Sequence, residues 1–522
     1  MAAHQFNPLK NLKYDLPAAL VVFLVALPLC LGVALASGAP PFAGIIAGAV
    51  GGIVIGALSK SPLSVSGPAA GLTTIVLAAI QQLPTFETFL LAVFLAGIIQ
   101  VVLGILRAGI IGDFIPSSVI KGMLAAIGII LILKQIPHAV GYDKDYEGDF
   151  GFAQLDGENT FSELWHLLDN QFTSGAIIIS VVSLLFLFWW DGTKLRRQNR
   201  LLQMLPGPLV VVLFSVLANQ SFGVAGSALL IGPEHLVSLP RFGSAADFFA
   251  LFRFPDFSMI GQAVVWKIAL TIGLVASMET LLSIEAIDKL DPFKRLTPTN
   301  RELWVQGVGN MTSGLLGGMP VTSVIVRSSA NVDSGARTQA SSIVHGLLLL
   351  LCAIAIPGLL NKIPLSALAA ILIAIGYKLT KPAIFIQKYK KGWSHLVPFL
   401  ITILAILFTD LLTGVLIGLV IGAFFIVFEN YKSGITIVHE ENRYLLRFRK
   451  DLSFIHKFEV KQALRAIPDN TSVFIDLSKT SFVDLDNVEI IIDFAENARH
   501  RGITVEYKIS EGHPAAKHFL NG

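Results

Sequence analysis

Charge is what this chain has least of. Only 14% of its 522 residues are Asp, Glu, Lys or Arg, where soluble domains carry roughly 25%. So few charges cannot clothe a soluble surface of this size. With 54% hydrophobic residues and a mean hydropathy of +0.70, the chain reads as an integral membrane protein. A formal net charge of +3 is too small to hold nucleic acid, so no nucleic-acid partner is expected. Cysteine is almost absent. Cys30 and Cys352 both lie in apolar segments, which excludes a disulfide framework and a cysteine metal site. The opening "MAAHQFNPLKNLKYD" lacks the short apolar core and small-residue cleavage site of a signal peptide, so the first apolar stretch is expected to stay as a span. Neither an HExxH helix nor a G-x-S-x-G elbow occurs, which leaves an intramembrane hydrolase without its chemistry. The chain is not expected to be an enzyme.

Apolar segments are what it has in quantity. They run at about 16–36, 41–58, 67–82, 87–106, 115–135, 174–190, 205–222, 263–285, 303–317, 323–333, 339–358, 364–378, 395–409 and 411–430. That makes fourteen, with 67–82 and 323–333 short and interrupted. Counting fourteen crossings puts the basic groups on one side: Lys10 and Lys13 before the first span, Lys194, Arg196, Arg197 and Arg200 after the sixth, Lys289, Lys294, Arg295 and Arg301 after the eighth, and Lys381, Lys388, Lys390 and Lys391 after the twelfth. The positive-inside rule makes that side cytoplasmic, with both termini on it, in the cell's inner (plasma) membrane. The loop 137–174, with eight acids from Asp143 to Asp169 and one lysine, falls on the other side. Thirteen crossings would split the basic loops between two faces.

Composition changes after about residue 431. "ENRYLLRFRK", "TSVFIDLSK" and "ITVEYKIS" read as strands, and "HKFEVKQALRAIP" and "NVEIIIDFAENARHRG" as amphipathic helices. The alternation predicts a small soluble α/β domain over 434–522.

The interruption at 59–71, "SKSPLSVSGPAAG", has a counterpart. "GALSKSPLSVS" (56–66) and "GLLGGMPVTSV" (314–324) share G-x-L-x-x-x-P, then an aliphatic residue, then Ser or Thr, 258 residues apart. Each opens the third span of seven. Seven is odd, so the second half must be inverted relative to the first, the architecture of secondary transporters with a binding site at the midplane. Broken helix at that depth requires protein or water to satisfy its backbone. Each break is expected to hold a short extended piece followed by a half-helix, with Ser66 and Ser323 as caps and Pro68 in a first turn. Two half-helix N-termini facing each other offer N–H donors and partial positive charge to a small anion.

Ionisable residues inside apolar sequence point the same way. Arg327, one turn into the second half-helix, supplies either a fixed positive charge for a substrate or half of a structural ion pair. Glu279, mid-span, with Ser283 one turn further on the same face, either pairs with Arg327, carries a coupling proton, or helps ligate a cation such as Na⁺. Glu285, Asp113, Lys121 and Asp410 read as capping or interfacial anchors, and His345 as a satisfied core histidine.

These residues resemble a known family. "YDLPAALVVFLVALPLCLGVALASGAPPFAGIIAGAVGGIVIGALSKSPLSVSGPAA" resembles the first three spans of the SulP family of inorganic anion transporters, and "NRELWVQGVGNMTSGLLGGMPVTSVIVRSSANVDSGARTQ" its spans 9 to 11. The tail resembles a STAS domain. The resemblance implies fourteen spans as 7+7 inverted repeats, with a core domain (about 14–107 and 263–360) moving like an elevator against a gate domain (about 113–222 and 363–430), usually in a homodimer. It implies anion binding at Ser66, Gly67, Pro68, Ala69, Ala70, Ser323, Val324 and Arg327, and a coupling-ion site, Na⁺ or H⁺, at Glu279 and Ser283, with no other cofactor. The expected activity is secondary active transport of bicarbonate or sulfate; an uncoupled channel or an exchanger on the same fold is the alternative. The chain departs from the family pattern at four places. Leu29 stands where many relatives have Gln, Ala70 where bicarbonate-type relatives carry a hydroxyl, Glu279 where they carry a shorter acid, and Ile325 where they are small. In the tail, Asp484, Leu485 and Asp486 occupy the stretch where phosphorylated relatives place Ser.

Overall fold

In the computed structural model, residues 8–143, 172–193, 206–238, 251–431, 435–449 and 451–510 are described. The basic group Lys194–Arg200, the acidic loop from 144 to 171 and the tail from 511 lie outside them. Two compact units are present, Met1–Val420 and Ile421–Gly522, each considered by itself below.

All fourteen apolar segments contain helix. In order they are α1 (Pro8–Ala36), α2 (Pro41–Val50, continuing through a π-helical turn Gly51–Ile55 to Leu58), α3 (Thr73–Gln82), α4 (Phe86–Ile105), α5 (Ser117–Val140), α6 (Ser174–Gly192), α7 (Gly207–Val224), α8 (Ala263–Leu290), α9 (Thr299–Leu316), α10 (Ile325–Asp333), α11 (Ala340–Ala355), α12 (Leu365–Leu379), α13 (Trp393–Phe408) and α14 (Leu411–Tyr431). Among the described residues, eight stretches are long and apolar enough to cross a membrane. The helix ends follow local chemistry. Thr85 caps α4 by accepting from the Thr88 N–H at 3.2 Å, which satisfies one of the amides a first turn leaves free. Gly141 (φ +80°) and Gly317 (φ +91°) end α5 and α9 in the left-handed region that a side chain disfavours.

The inverted repeat is visible in the packing. α1 packs on α11 and α8 on α4; α5 packs on α13 and α12 on α6; α4 packs on α9 and α11 on α2. Exchanging the two sets of seven helices turns each member of these pairs into the other. Three glycine contacts mark the closest approaches. A Cβ on Gly52 would stand 2.6 Å from the Cα of Gly346, one on Gly97 2.6 Å from the Gly307 oxygen, and one on Gly128 2.6 Å from the Gly376 oxygen. The first two contacts, α2–α11 and α4–α9, exchange under the repeat, and the third, α5–α12, maps onto itself. Small residues at such crossings let backbones meet, which is how membrane helices gain dispersion contact without a hydrophobic driving force.

The second unit contains a four-stranded mixed sheet. β3 (Ile435–Glu440) runs antiparallel to β4 (Arg443–Phe448), which runs parallel to β5 (Ser472–Asp476), itself parallel to β6 (Thr504–Lys508). α15 (Lys457–Arg465) and α16 (Leu485–His500) supply Val460, Leu464, Val488 and Ile491 to a core with Leu446, Phe448, Val473 and Ile475. The alternation predicted three strands and both helices; β3 is an addition. Asp484 caps α16 through the Asp486 N–H at 3.0 Å, a structural reason for an acid at that position.

Candidate functional site

Two extended tripeptides meet inside the helical unit. β1 (Ser66–Pro68) and β2 (Val321–Ser323) are fully buried and pair antiparallel, Ser66 opposite Ser323, Gly67 opposite Thr322 and Pro68 opposite Val321. The ladder satisfies backbone groups that lipid would leave unpaired. Val321 stands in β2 as Ser66 stands in β1, a separation of 255 residues. The 258-residue motif match is therefore three residues out of structural register: Pro320 adjoins its strand, whereas Pro62 stops short of its own.

Beyond the strands the chain turns helical, through Ala70–Leu72 into α3 and directly into α10. The expected caps are not there. The N-cap positions are Leu72 and Val324, and neither end has a side-chain cap. Ser66 and Ser323 are strand residues with other partners: Ser66 Oγ accepts from Gln306 Nε2 at 2.8 Å, and Ser323 Oγ lies 2.7 Å from Ser64 Oγ. Pro68 is in the ladder rather than a first turn. The consequence is that neither half-helix start is closed by a side chain of its own N-cap residue.

A polar stripe on α9 holds the strands. Glu302, Gln306 and Asn310 follow at four-residue steps, one face of a helix, and all are buried. Asn310 donates to the Val321 oxygen at 2.9 Å and accepts from its N–H at 2.6 Å, completing the edge of β2. Gln306 Nε2 bridges Ser66 to Glu302 Oε1, and Glu302 Oε2 accepts from Ser59 at 2.5 Å. From α10 of the same repeat, Asn331 donates to the Leu63 oxygen at 3.0 Å and Ser328 Oγ accepts from the Val65 N–H at 2.9 Å. None of these positioning residues was singled out from the sequence, although the polar stripe in an apolar span is the signal that finds them.

The two charges expected at the site lie apart. Arg327, 2% exposed, folds against Gly67, where a Cβ would stand 1.9 Å from Nη1. It bonds the Cys30 sulfur and keeps Nη1 without a partner. His345 is fully buried, and neither ring nitrogen has a partner among the described residues, where a satisfied core histidine was expected. Glu279 lies elsewhere: its carboxylate accepts from the Gly71 N–H, at the start of the first half-helix, and leaves Oε2 unpartnered. No ion pair joins Glu279 to Arg327 among the described residues, which removes that alternative. Glu285 pairs with Lys289 at 2.6 Å, as an interfacial residue should.

A cavity of about 100 Å³ opens where the half-helices begin. It is lined by Gly71, Thr73 and Thr74 of the first, Val324, Ile325 and Val326 of the second, Glu279 and Ser283 of α8, Ile127 and Ile130 of α5, and Ile406, Asp410 and Leu411 near the α13–α14 turn. It has room for several waters or one small ion. The structure thus brings Val324, Glu279 and Ser283 together at the cavity. Ser66, Gly67, Pro68, Ala69, Ser323 and Arg327 are buried but do not line it, and Ala70 contributes backbone to the turn entering α3. Asp410 faces the cavity while also capping α14 through the Leu412 and Thr413 N–H groups at 2.9 and 3.0 Å. The charged side chains on the wall are therefore both acids, and the positive character comes from helix termini and from Arg327 behind β1.

Comparison with known proteins bears on the family and the fold. Residues 12–402 match the sulfate permease family. YvdB of Bacillus subtilis (strain 168) is 28% identical over 374 residues, 72% of this chain and 66% of that one. The bicarbonate transporter BicA of Picosynechococcus sp. is 27% identical over 376 residues, 70% of this chain and 62% of that one. The chain thus spans somewhat under two thirds of the length of these relatives. Among solved structures, SLC26A9 matches with a TM-score of 0.67 at 15% identity, covering all of this chain and 88% of that one. The transmembrane domain of a cyanobacterial BicA gives 0.52 at 22% identity, over 79% of this chain and 97% of that one. At these identities the structures speak for the fold alone, but the family match covers most of the chain: the protein belongs to the sulfate permease family, a family of membrane-spanning transporters rather than enzymes.

Proposed function

We propose that the chain is a secondary active transporter of a small inorganic anion, bicarbonate or sulfate, driven by Na⁺ or H⁺. The anion binds in the cavity between the N-termini of α3 and α10, with Arg327 as a fixed positive charge behind the strand, and Glu279 with Ser283 takes the coupling ion. The observation that carries this reading is the Glu279 carboxylate on the Gly71 amide. An ionised Glu279 already occupies one of the two half-helix termini and repels a second anion. Like charges 4 Å apart cost about 4 kcal/mol at an effective dielectric near 20. Protonation or a bound cation removes that repulsion, so the anion is admitted together with its driving ion. A pure anion channel gains nothing from an acid there.

In the same reading, α1–α4 with α8–α11 form the moving core and α5–α7 with α12–α14 the gate. Ile127, Ile130 and Ile406 are the gate's apolar wall facing the site. The basic loops lie in the cytoplasm, the C-terminal unit is a cytoplasmic STAS domain, and the family's homodimer forms in the inner membrane. The test is uptake of labelled bicarbonate and labelled sulfate into proteoliposomes under an inward Na⁺ gradient, an inward H⁺ gradient or neither. Accumulation of one anion with one gradient supports the proposal. Simple equilibration of both anions under every condition removes coupling and leaves a channel or exchanger. Val324→Trp, which fills the cavity, should abolish uptake in a protein that still inserts.

A further inference from the structure

The start of α5 meets a buried lysine that no carboxylate bonds among the described residues. Lys388 lies in the short helix Pro382–Lys390, is 3% exposed, and donates from Nζ to Ser118 Oγ at 3.0 Å. An ammonium has no lone pair. The Ser118 hydroxyl proton therefore goes to His395 Nδ1, 3.2 Å away, which assigns the imidazole proton to Nε2. No carboxylate bonds Lys388 among the described residues. The charges acting on it are those of Lys121, Lys391 and Lys289, all of one sign, and of these Lys289 has a carboxylate partner, Glu285. A buried ammonium satisfied by one neutral hydroxyl and surrounded by like charge is costly unless an anion joins it. The helix beside it adds to the effect. α5 begins at Ser117 with Pro116 as its N-cap and no side-chain cap, so free amides and the positive end of a dipole face the same place.

The surroundings identify the anion's source. Ile384 and Phe385 of the short helix turn inward, while Ile386, Tyr389 and the following Trp393 are 54%, 69% and 71% exposed. Apolar and aromatic side chains presented outward beside lysines are the pattern of a helix lying in the headgroup layer. A site serving a dissolved anion needs no such rim. We infer that Lys388, Lys391, Lys121 and the open start of α5 form a binding site for the phosphate of an anionic phospholipid in the leaflet on that face.

The test uses the full chain in lipid nanodiscs, with melting temperature and native mass spectrometry of retained lipid as readouts. Discs of phosphatidylcholine alone are compared with discs containing phosphatidylglycerol, and with phosphatidylcholine discs given inorganic phosphate. The expected result is a rise of several degrees and retained phosphatidylglycerol for the wild type. Lys388→Gln and Lys391→Gln should lose at least half of that rise, and Lys461→Gln in the C-terminal unit should keep it. Lys391 is exposed, so its variant decides the matter even where Lys388→Gln fails to fold. Equal stability in both lipids, undiminished stabilisation in Lys391→Gln, or the same rise from inorganic phosphate without anionic lipid would each overturn the assignment.

Discussion

The two half-helix termini are built to the same plan and carry opposite charges. Each follows a buried strand, each lacks a side-chain cap, and each opens on one cavity. At the first, the Gly71 amide is taken by Glu279. At the second, Ile325 and Val326 line the cavity, and Arg327 one residue on rests against Gly67 of the opposite strand. A symmetric scaffold has thus become a polar one. In our account the α10 end attracts the anion and the α3 end meters its driving ion, so the two ends should fail differently when altered.

The largest effect is expected at the α10 end. Gly67→Val puts side-chain atoms where Arg327 now rests, since even a Cβ would stand 1.9 Å from Nη1, and Gly48 with Cys30 leaves the guanidinium little room to retreat. Uptake should fall by at least about tenfold, equivalent to ~1.4 kcal/mol of lost binding, whatever the gradient. Detergent-extracted protein should keep its elution profile.

A smaller loss is expected from the scaffold behind both ends. Gln306→Leu removes the donor to the Ser66 hydroxyl and to Glu302 Oε1, buried groups whose unmade bonds cost about 1–3 kcal/mol, while Glu302 Oε2 keeps its bond from Ser59. A lower melting temperature together with reduced uptake, partly restored by Gln306→Asn, checks the positioning role. An unchanged melting temperature would mean that α9 does not hold β1.

The smallest effect lies far from the comparison and controls for it. In the C-terminal unit burial would raise the Asp476 carboxyl, but bonds from Ser478 and from Arg447 at 2.9 Å hold it below the usual carboxylate range. A depressed carboxylate adds stability above its unfolded value near ~3.9 and loses it as pH falls through the folded value. Arg447 is half exposed, so Arg447→Ala should cost only ~0.2–1 kcal/mol at neutral pH. Faster amide exchange in β5, with the difference from wild type fading below about pH 4, reads it out. Uptake should not change.

Much of this architecture could be read from the residues. Fourteen apolar segments became fourteen helices because in lipid a helix alone satisfies its own backbone, and the Pro/Gly-rich breaks at 59–71 and 317–324 mark where that stops. The odd number of spans implied an inverted second half with a short extended piece in each break, and the two pieces pair antiparallel, Ser66 opposite Ser323. What failed was local register. The P-x-S/T match aligned Pro62 with Pro320, but chain length between proline and strand differs in the two repeats, and only pairing reveals it. The caps failed for a related reason: a serine in an extended strand is bonded sideways, to Gln306 or Ser64, and cannot reach a helix start. Arg327 was legible as a charge at the site but not in its direction, because that depends on the missing side chain of Gly67 in the other repeat.

The measurement that tests the central claim most directly compares gradient dependence in wild type and Glu279→Gln proteoliposomes. Our account predicts that wild type concentrates the anion only with an inward Na⁺ or H⁺ gradient, whereas Glu279→Gln, neutral at the Gly71 terminus, still moves the anion but equilibrates it regardless of gradient. Gradient-driven accumulation that survives in Glu279→Gln would contradict the account and move the coupling site elsewhere.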